Sequence, residues 1–390
     1  MSEKTGHVSP GKRLLFSAAL IGIFFLGLLV LEVLMTVLDP VIGAGFFQYD
    51  RDLGFRVRAH TFGANQFGFN DRDYALHKPD DRYRILVVSD SFGWAGGRDD
   101  NYAEILERLL AERYGEDRVE VINSGYPMTH TGEQLGMLRK FGLQYAPDLV
   151  ILGFFVGNDF IDSERFRKRI VVNDAFFDID RRSERIFLGY PIVPQSRLVH
   201  VIRHRAKLAA EYFRSGGSAM AGLDPADVEG TFSSQTFRRI EATRMQFSNV
   251  LHQKKGVFDG KIAFAEENLT AMGKLLESQN IDFVVALFPD EYQVNSGLRW
   301  QLRDAFGMRE ADYDLELPQR LVRNHMEAQQ VPVIDLLPAF TERGATEDLY
   351  LLRNTHWNDA GRNLAAQVIF ESLIERLDAV EGLMAVEPAR

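Results

Sequence analysis

The chain has no cysteine among its 390 residues. That excludes disulfides, thiolate metal sites and a cysteine nucleophile, and it leaves the compartment open, since many exported proteins also lack the residue. Basic charge is also short. The 45 Lys and Arg are outnumbered by 55 Asp and Glu, a formal net charge of -10, which argues against a general nucleic-acid binder because neutralising phosphates needs a basic face. There is no internal repeat, no low-complexity tract and no second apolar run as long as the one near the N-terminus. What is present is a hydrophobic content of 46%, enough for a sizeable core in one large domain or two.

Lys4, Lys12 and Arg13 precede LLFSAALIGIFFLGLLVLEVLMTVL, residues 14–38, interrupted by one charge, Glu32. That length spans a bilayer. The apolar region of a cleaved signal peptide is shorter and ends in small residues, whereas this run ends in Leu-Asp-Pro. The sequence therefore predicts an uncleaved, single-pass anchor. Cations on its short side place residues 1–13 in the cytoplasm and the rest of the chain in the periplasm or outside the cell.

Residues 39–82 read as a lead-in rich in Gly, Asn, Asp and aromatics, and from Tyr83 a rhythm begins. RILVVSD, VEVINSG and PDLVILGFFVGND are short apolar runs separated by helical stretches; IDFVVALFP and VPVIDLLPAF resume the alternation further on, and NDAGRNLAAQVIFESLIERL closes it. Such alternation implies βαβ units and a parallel sheet, without fixing strand order. Between the third and fourth runs lies an insertion, residues 160–260, in which VVNDAFFDID and RIFLGYPIV suggest a strand pair and VHVIRHRAKLAAEYF a helix. Residues 160–214 hold 12 Lys and Arg against 7 Asp and Glu. The clusters RFRKR and HVIRHRAK read first as a solvated helical face, with a site for an anionic glycan or headgroup as the alternative. Leaving the sheet directly after Asn158, the insertion is placed to act as a lid or an acceptor platform.

Doubly wound sheets put their chemistry at the carboxyl ends of strands. Here those ends give Ser91, Asn123-Ser124-Gly125 and Gly157-Asn158-Asp159, and the last loop before the final helix gives Thr355-His356-Trp357-Asn358. Acyl transfer needs a nucleophilic hydroxyl, a base and donors for an oxyanion. Ser91 can be the nucleophile and His356 the base. The backbone amides of Ser91 and Gly125 and the side-chain amide of Asn158 can converge on one oxygen.

In order, Asp90-Ser91-Phe92-Gly93, Asn123-x-Gly125, Gly157-Asn158-Asp159 and His356-Trp357-Asn358-x-x-Gly361 resemble the blocks of the SGNH (GDSL) hydrolase family. The resemblance covers residues 55–375 with the insertion looped out, and four ordered blocks are far more specific than any one motif. It implies an α/β fold, a three-layer flavodoxin-like sandwich with a parallel sheet, running from residue 83 to 380. It also implies serine esterase or acyl-transfer chemistry, with no metal and no cofactor. NQFGFNDRDY, residues 65–74, looks like a segment found in membrane-anchored members associated with bacterial surface polysaccharide. Two positions depart from the family pattern. Ser89 stands for the first glycine of Gly-Asp-Ser, a small-for-small change. Where members carry an Asp two or three residues before the His, this chain has Asn354 and Arg353. Asn354 can orient the ring through its carbonyl oxygen, and Asp348 or Asp335 can substitute from nearby loops.

Ser89-x-Ser91-x-Gly93 is one residue from the elbow of an α/β-hydrolase, but that fold needs several strands before its nucleophile and Ser91 ends the first. His200 and His204 lie four apart without a glutamate-containing zinc motif and read as a surface pair. Phe154, Phe155 and Trp357 read as packing. The sequence thus predicts a membrane-anchored esterase or O-acyltransferase acting on an acylated glycan or lipid of the envelope, with no nucleic-acid partner. The alternative is a non-catalytic scaffold or glycan-binding component that kept the fold and lost its acid.

Overall fold

The computed structural model describes residues 9–42, 45–172, 175–187, 190–191 and 231–384, with a few isolated positions between 198 and 210. The chain divides into two units, residues 1–56 with 167–221, and residues 57–166 with 222–390. Its strands are β1 (Phe47–Asp50), β2 (Gly54–Val57), β3 (Tyr83–Val88), β4 (Val119–Asn123), β5 (Leu149–Phe155), β6 (Arg167–Val172), β7 (Ala175–Asp180), β8 (Ile186–Phe187), β9 (Tyr190–Pro191), β10 (Asp282–Phe288) and β11 (Val333–Asp335).

The first unit holds the helix Pro10–Ile42, whose segment Pro10–Met35 is strongly apolar and has no buried residue in its apolar stretch. It is long and apolar enough to cross a membrane or to serve as a signal sequence. Here the charged segment departs from the helical expectation. Arg167, Lys168 and Arg169 lie in β6, which pairs antiparallel with β7, while β8 pairs with β9. AFFDID therefore pairs with RKRIVV, not with RIFLGYPIV. The cluster is solvated in part: Arg165 is exposed, Arg167 and Arg169 meet Asp178 at the surface, and Lys168 alone is buried, with its ammonium on Glu184. A buried lysine is retained only when paired. Most of HVIRHRAK, including His200 and His204, lies outside the described residues.

The second unit is an α/β sandwich. Its five strands are parallel in the order β4-β3-β5-β10-β11, the flavodoxin-like order, with its topological switch between β3 and β5. All five lie in the apolar runs of the sequence, and burial on both faces makes β5 and β10 continuous ones. The helices Tyr102–Tyr114 and Asp359–Asp378 cover one face around Ile85, Val87, Ile151, Val284 and Ile369. On the other face, Asp259–Glu277 packs against Thr131–Lys140, Leu317–Glu327 and β10. From the insertion, residues 231–254 belong to this unit. The helix Ser234–Met245 is capped by Ser233 and buries Phe237 and Met245 against Tyr292, Leu298 and Leu302.

Candidate active site

Strand β3 ends at Val88, and Ser89 and Asp90 carry the chain into a 3-10 turn, Ser91–Trp94, at the switch point. Asp90 is fully buried. One of its oxygens accepts the Phe92 N–H at 3.0 Å and caps the turn, and the other accepts from Asn158 Nδ2 at 3.1 Å. As the first residue of the turn, Ser91 has an N–H with no acceptor inside it. Ser89 is buried beneath, with Gly93, Gly125 and Gly153 closing around it so tightly that a methyl on any of the three would collide.

The lead-in segment braces this turn. Asn70 Nδ2 donates to the Gly93 carbonyl at 3.1 Å, and Asn123 Nδ2 donates to the same carbonyl at 2.7 Å and to the Asn70 carbonyl at 3.1 Å. Asp71 accepts the Asn123 N–H at 2.7 Å. The NQFGFNDRDY stretch therefore ties β4 to the nucleophile turn, a role its composition alone does not reveal.

The loop 350–358 brings in the histidine. It is folded back on itself by a bridge between Tyr350 and Trp357 and by the Leu351 N–H on the His356 carbonyl at 2.8 Å. Arg353 and Thr355, at φ of +50° and +64°, flank Asn354 in the left-handed region. For a β-branched threonine that conformation is strained, and such strain persists where surrounding structure imposes it. The segment before helix Ser234–Met245 does so: the Phe232 N–H bonds the Arg353 carbonyl, Arg353 Nη1 donates to Ser234 Oγ at 3.0 Å, and Asn354 Nδ2 donates to Thr231 Oγ1. Trp357, fully buried, anchors the loop among Phe92, Tyr102, Phe288 and Phe340.

Three of the predicted site residues form one hydrogen-bonded row. His356 Nε2 lies 2.7 Å from Ser91 Oγ, and Nδ1 lies 2.7 Å from Asn354 Oδ1 and 3.0 Å from the Asn354 carbonyl oxygen. Two oxygens facing Nδ1 require that it carry the hydrogen, which leaves Nε2 to accept from the serine hydroxyl. Burial lowers His356 to about 4; the Asn354 backbone opposes that fall, and the positive charge of Arg244 adds to it. The ring is neutral at neutral pH. Burial raises Asp90 to about 6 against the pull of Phe92, Asn158 and Arg244.

Gly125 abuts Gly93, its N–H donating to Asn123 Oδ1 at 2.9 Å and its carbonyl accepting from Trp94 Nε1 at 3.0 Å. Asn158 follows β5, with one amide hydrogen on Asp90 and a second that no acceptor among the described residues takes. Asp335 is engaged by Arg323 and by the Leu337 N–H, and Asp348 lies in the wall of a separate cavity of about 680 Å³. Neither contacts His356. Arg244 and Thr231 are the groups missed by sequence reading, because both come from the insertion and only the tertiary fold brings them to the strand ends.

Residues 248–386 match the family model described as SGNH hydrolase-like domain, acetyltransferase AlgX. The match takes in β10, β11 and the His356 loop and leaves Ser91 outside. No curated protein matches the chain. Among solved structures, a lipase/acylhydrolase from Enterococcus faecalis is 14% identical, with a TM-score of 0.34 over 75% of this chain and 96% of that one. The acetyl xylan esterase AlAXEase is 15% identical, with a TM-score of 0.38 over 74% and 99%. A catalytic mutant of Axe2, an acetylxylan esterase from Geobacillus stearothermophilus, is 12% identical, with a TM-score of 0.40 over 80% and 100%.

Proposed function

We propose that this chain, which carries an SGNH hydrolase-like domain, is a serine esterase or O-acyltransferase acting on an acylated carbohydrate or lipid of the cell envelope. The observation that carries the reading is the row Ser91 Oγ, His356 Nε2, His356 Nδ1, Asn354 Oδ1, with the imidazole in the tautomer a general base needs. A scaffold has no use for that order of atoms.

In this reading Ser91 Oγ attacks the ester carbonyl carbon as its proton passes to His356 Nε2. The Ser91 N–H and the second Asn158 amide hydrogen receive the oxyanion; the Gly125 N–H, expected from the sequence to join them, is held by Asn123 Oδ1 instead. His356 returns the proton to the departing alcohol oxygen, leaving an acyl group on Ser91. Water or a sugar hydroxyl then attacks the acyl carbon and gives its proton to Nε2, and Ser91 recovers its hydrogen as the acyl group leaves. Hydrolysis and transfer differ only in that second acceptor. Asn354 offers the imidazolium dipoles where a carboxylate would offer full charge; in a serine protease the corresponding Asp-to-Asn change costs about ten-thousandfold.

The helix Pro10–Met35 fits this setting as a single-pass anchor with Lys12 and Arg13 on the cytoplasmic side and the Ser91 site across the membrane. Product analysis tests the reading. Full-length protein in detergent is given an acetyl ester donor with and without an acetylxylan-derived acceptor stripped of its acetyl groups. Acetate release or acetylated glycan, lost in Ser91→Ala and in His356→Ala, supports it. No turnover of short or long acyl esters by folded wild-type protein leaves the scaffold reading in its place.

A further inference from the structure

Helix Ser234–Met245 carries Glu241 and Arg244 on its buried side. Arg244 Nη1 donates to Glu241 Oε1 at 3.1 Å and lies 3.5 Å from Asp290 Oδ1, both carboxylates being wholly buried. Its guanidinium carbon stands 5.1 Å from the ring centre of Phe155, the last residue of β5, and that ring lies 4.5 Å from Phe92, the neighbour of Ser91. Asp290, just beyond β10, places Oδ2 where a side chain on Gly157 would begin, beside Asn158. The cation therefore sits at the ends of β3, β5 and β10, the strand ends that frame the Ser91 site. Besides Glu241 on its own helix and Asp290 after β10, which it contacts, its charge acts on Asp90 in the nucleophile turn, Asp162 after β5 and Glu291 after β10. His356, flanked otherwise by Ser91, Phe92 and Asn354, also feels its charge.

We propose that Arg244 is a positioning residue of the Ser91–His356 site: its fixed charge keeps Asp90 ionised, so that Asp90 holds the Asn158 amide and the nucleophile turn, and keeps the His356 ring in its proton-accepting form. The proposal rests on the serine-hydrolase reading above. Arginine suits the task because it remains charged at any working pH and is tolerated where a lysine would shed its proton. Removing a cation from a water-poor site lets both neighbours, a carboxylate and an imidazole, hold their protons more tightly. Both effects have one sign: the form of the site that works is lost at higher pH than before.

The test uses full-length protein in detergent with labelled histidine, the His356 imidazole signal being identified by its absence in His356→Ala. In Arg244→Gln its titration midpoint is expected to rise by at least about half a pH unit, and in Arg244→Lys to stay near the wild-type value. The acid limb of kcat/KM for a neutral acetyl ester is expected to move the same way. Should Arg244→Gln fail to fold, Arg244→Met, which keeps an unbranched apolar stem and removes only the cation, gives the same reading. An unmoved midpoint in either folded variant overturns the proposal. If wild-type protein cleaves no ester, the hydrolase reading fails by itself, and the imidazole signal still reports whether Arg244 governs His356.

Discussion

Asn354 Nδ2 donates to Thr231 Oγ1 while Oδ1 of the same amide lies 2.7 Å from His356 Nδ1, whose hydrogen also faces the Asn354 carbonyl oxygen. With the nitrogen committed to Thr231, Oδ1 is the atom left facing Nδ1. A neutral residue is thereby held to a carboxylate's orientation without a carboxylate's charge. Asn354→Asp should supply that charge while Thr231 turns its hydroxyl to donate. Ester cleavage is expected to rise about ten- to a thousandfold, and Thr231→Val in the wild-type background to lower it about fivefold, the worth of one ordinary hydrogen bond. Steady-state kinetics on a short acyl ester reads both. Unchanged activity in Asn354→Asp would mean that orientation of His356 does not limit the rate.

The protonation states predict a pH profile. His356 is lowered to about 4 by burial, so its base form persists well below neutrality and is lost as pH falls toward that value. Asp90, raised to about 6 by burial, loses its charge earlier. Rate measurements should therefore show activity beginning to fall near pH 6, in the Asp90 range, and ending near pH 4. The stability linkage of the histidine runs the same way. Its folded value lies below the unfolded 6.5, so the stability it contributes is complete above that pH and is lost as pH falls to about 4. The gap in thermal midpoint between wild type and His356→Asn is expected to shift in favour of the variant across that window.

Gly125→Ala tests the packing under the nucleophile. A methyl there would lie 2.7 Å from Gly93 Cα and 2.8 Å from Ser89 Oγ. Overpacking of this kind costs about 1–3 kcal/mol, and the shift falls on the turn that bears Ser91. A lowered denaturation midpoint is expected together with a loss of kcat larger than the stability change explains.

Asn70→Ala tests the brace from the lead-in segment. It removes one of two donors to the Gly93 carbonyl and leaves Asn123 in place. A fall in kcat of about three- to tenfold is expected, in keeping with the loss of about 1 kcal/mol of positioning, with KM little changed. A pure KM effect would instead place Asn70 in substrate binding.

The sheet was legible because its central strands β5 and β10 are buried on both faces and so appear as unbroken apolar runs, LVILGFF and VVALF. The shorter runs of β3, β4 and β11, which include Arg84, Glu120 and Asp335, follow from the alternation with helices. Ser91 and His356 were legible because they stand at strand and loop ends, where polar residues interrupt such runs. The charged strand β6 was not, since three successive cations hide the two-residue period and the acids that pair with them, Asp178 and Glu184, lie further along the chain. Arg244 and Thr231 were hidden for a related reason. On their own helix and its approach they look like any polar surface residue, and what gives them a role is a fold that returns residues 231–245 to the strand ends.

The central claim is that Ser91 is a nucleophile activated by His356. Labelling of full-length protein with a fluorophosphonate, followed by peptide mapping, tests it most directly, because the reagent forms a stable adduct only with an activated hydroxyl. One adduct is expected, on Ser91, absent from Ser91→Ala and strongly reduced in His356→Ala. Folded wild-type protein that carries no adduct on Ser91, or that labels equally well without His356, would contradict it.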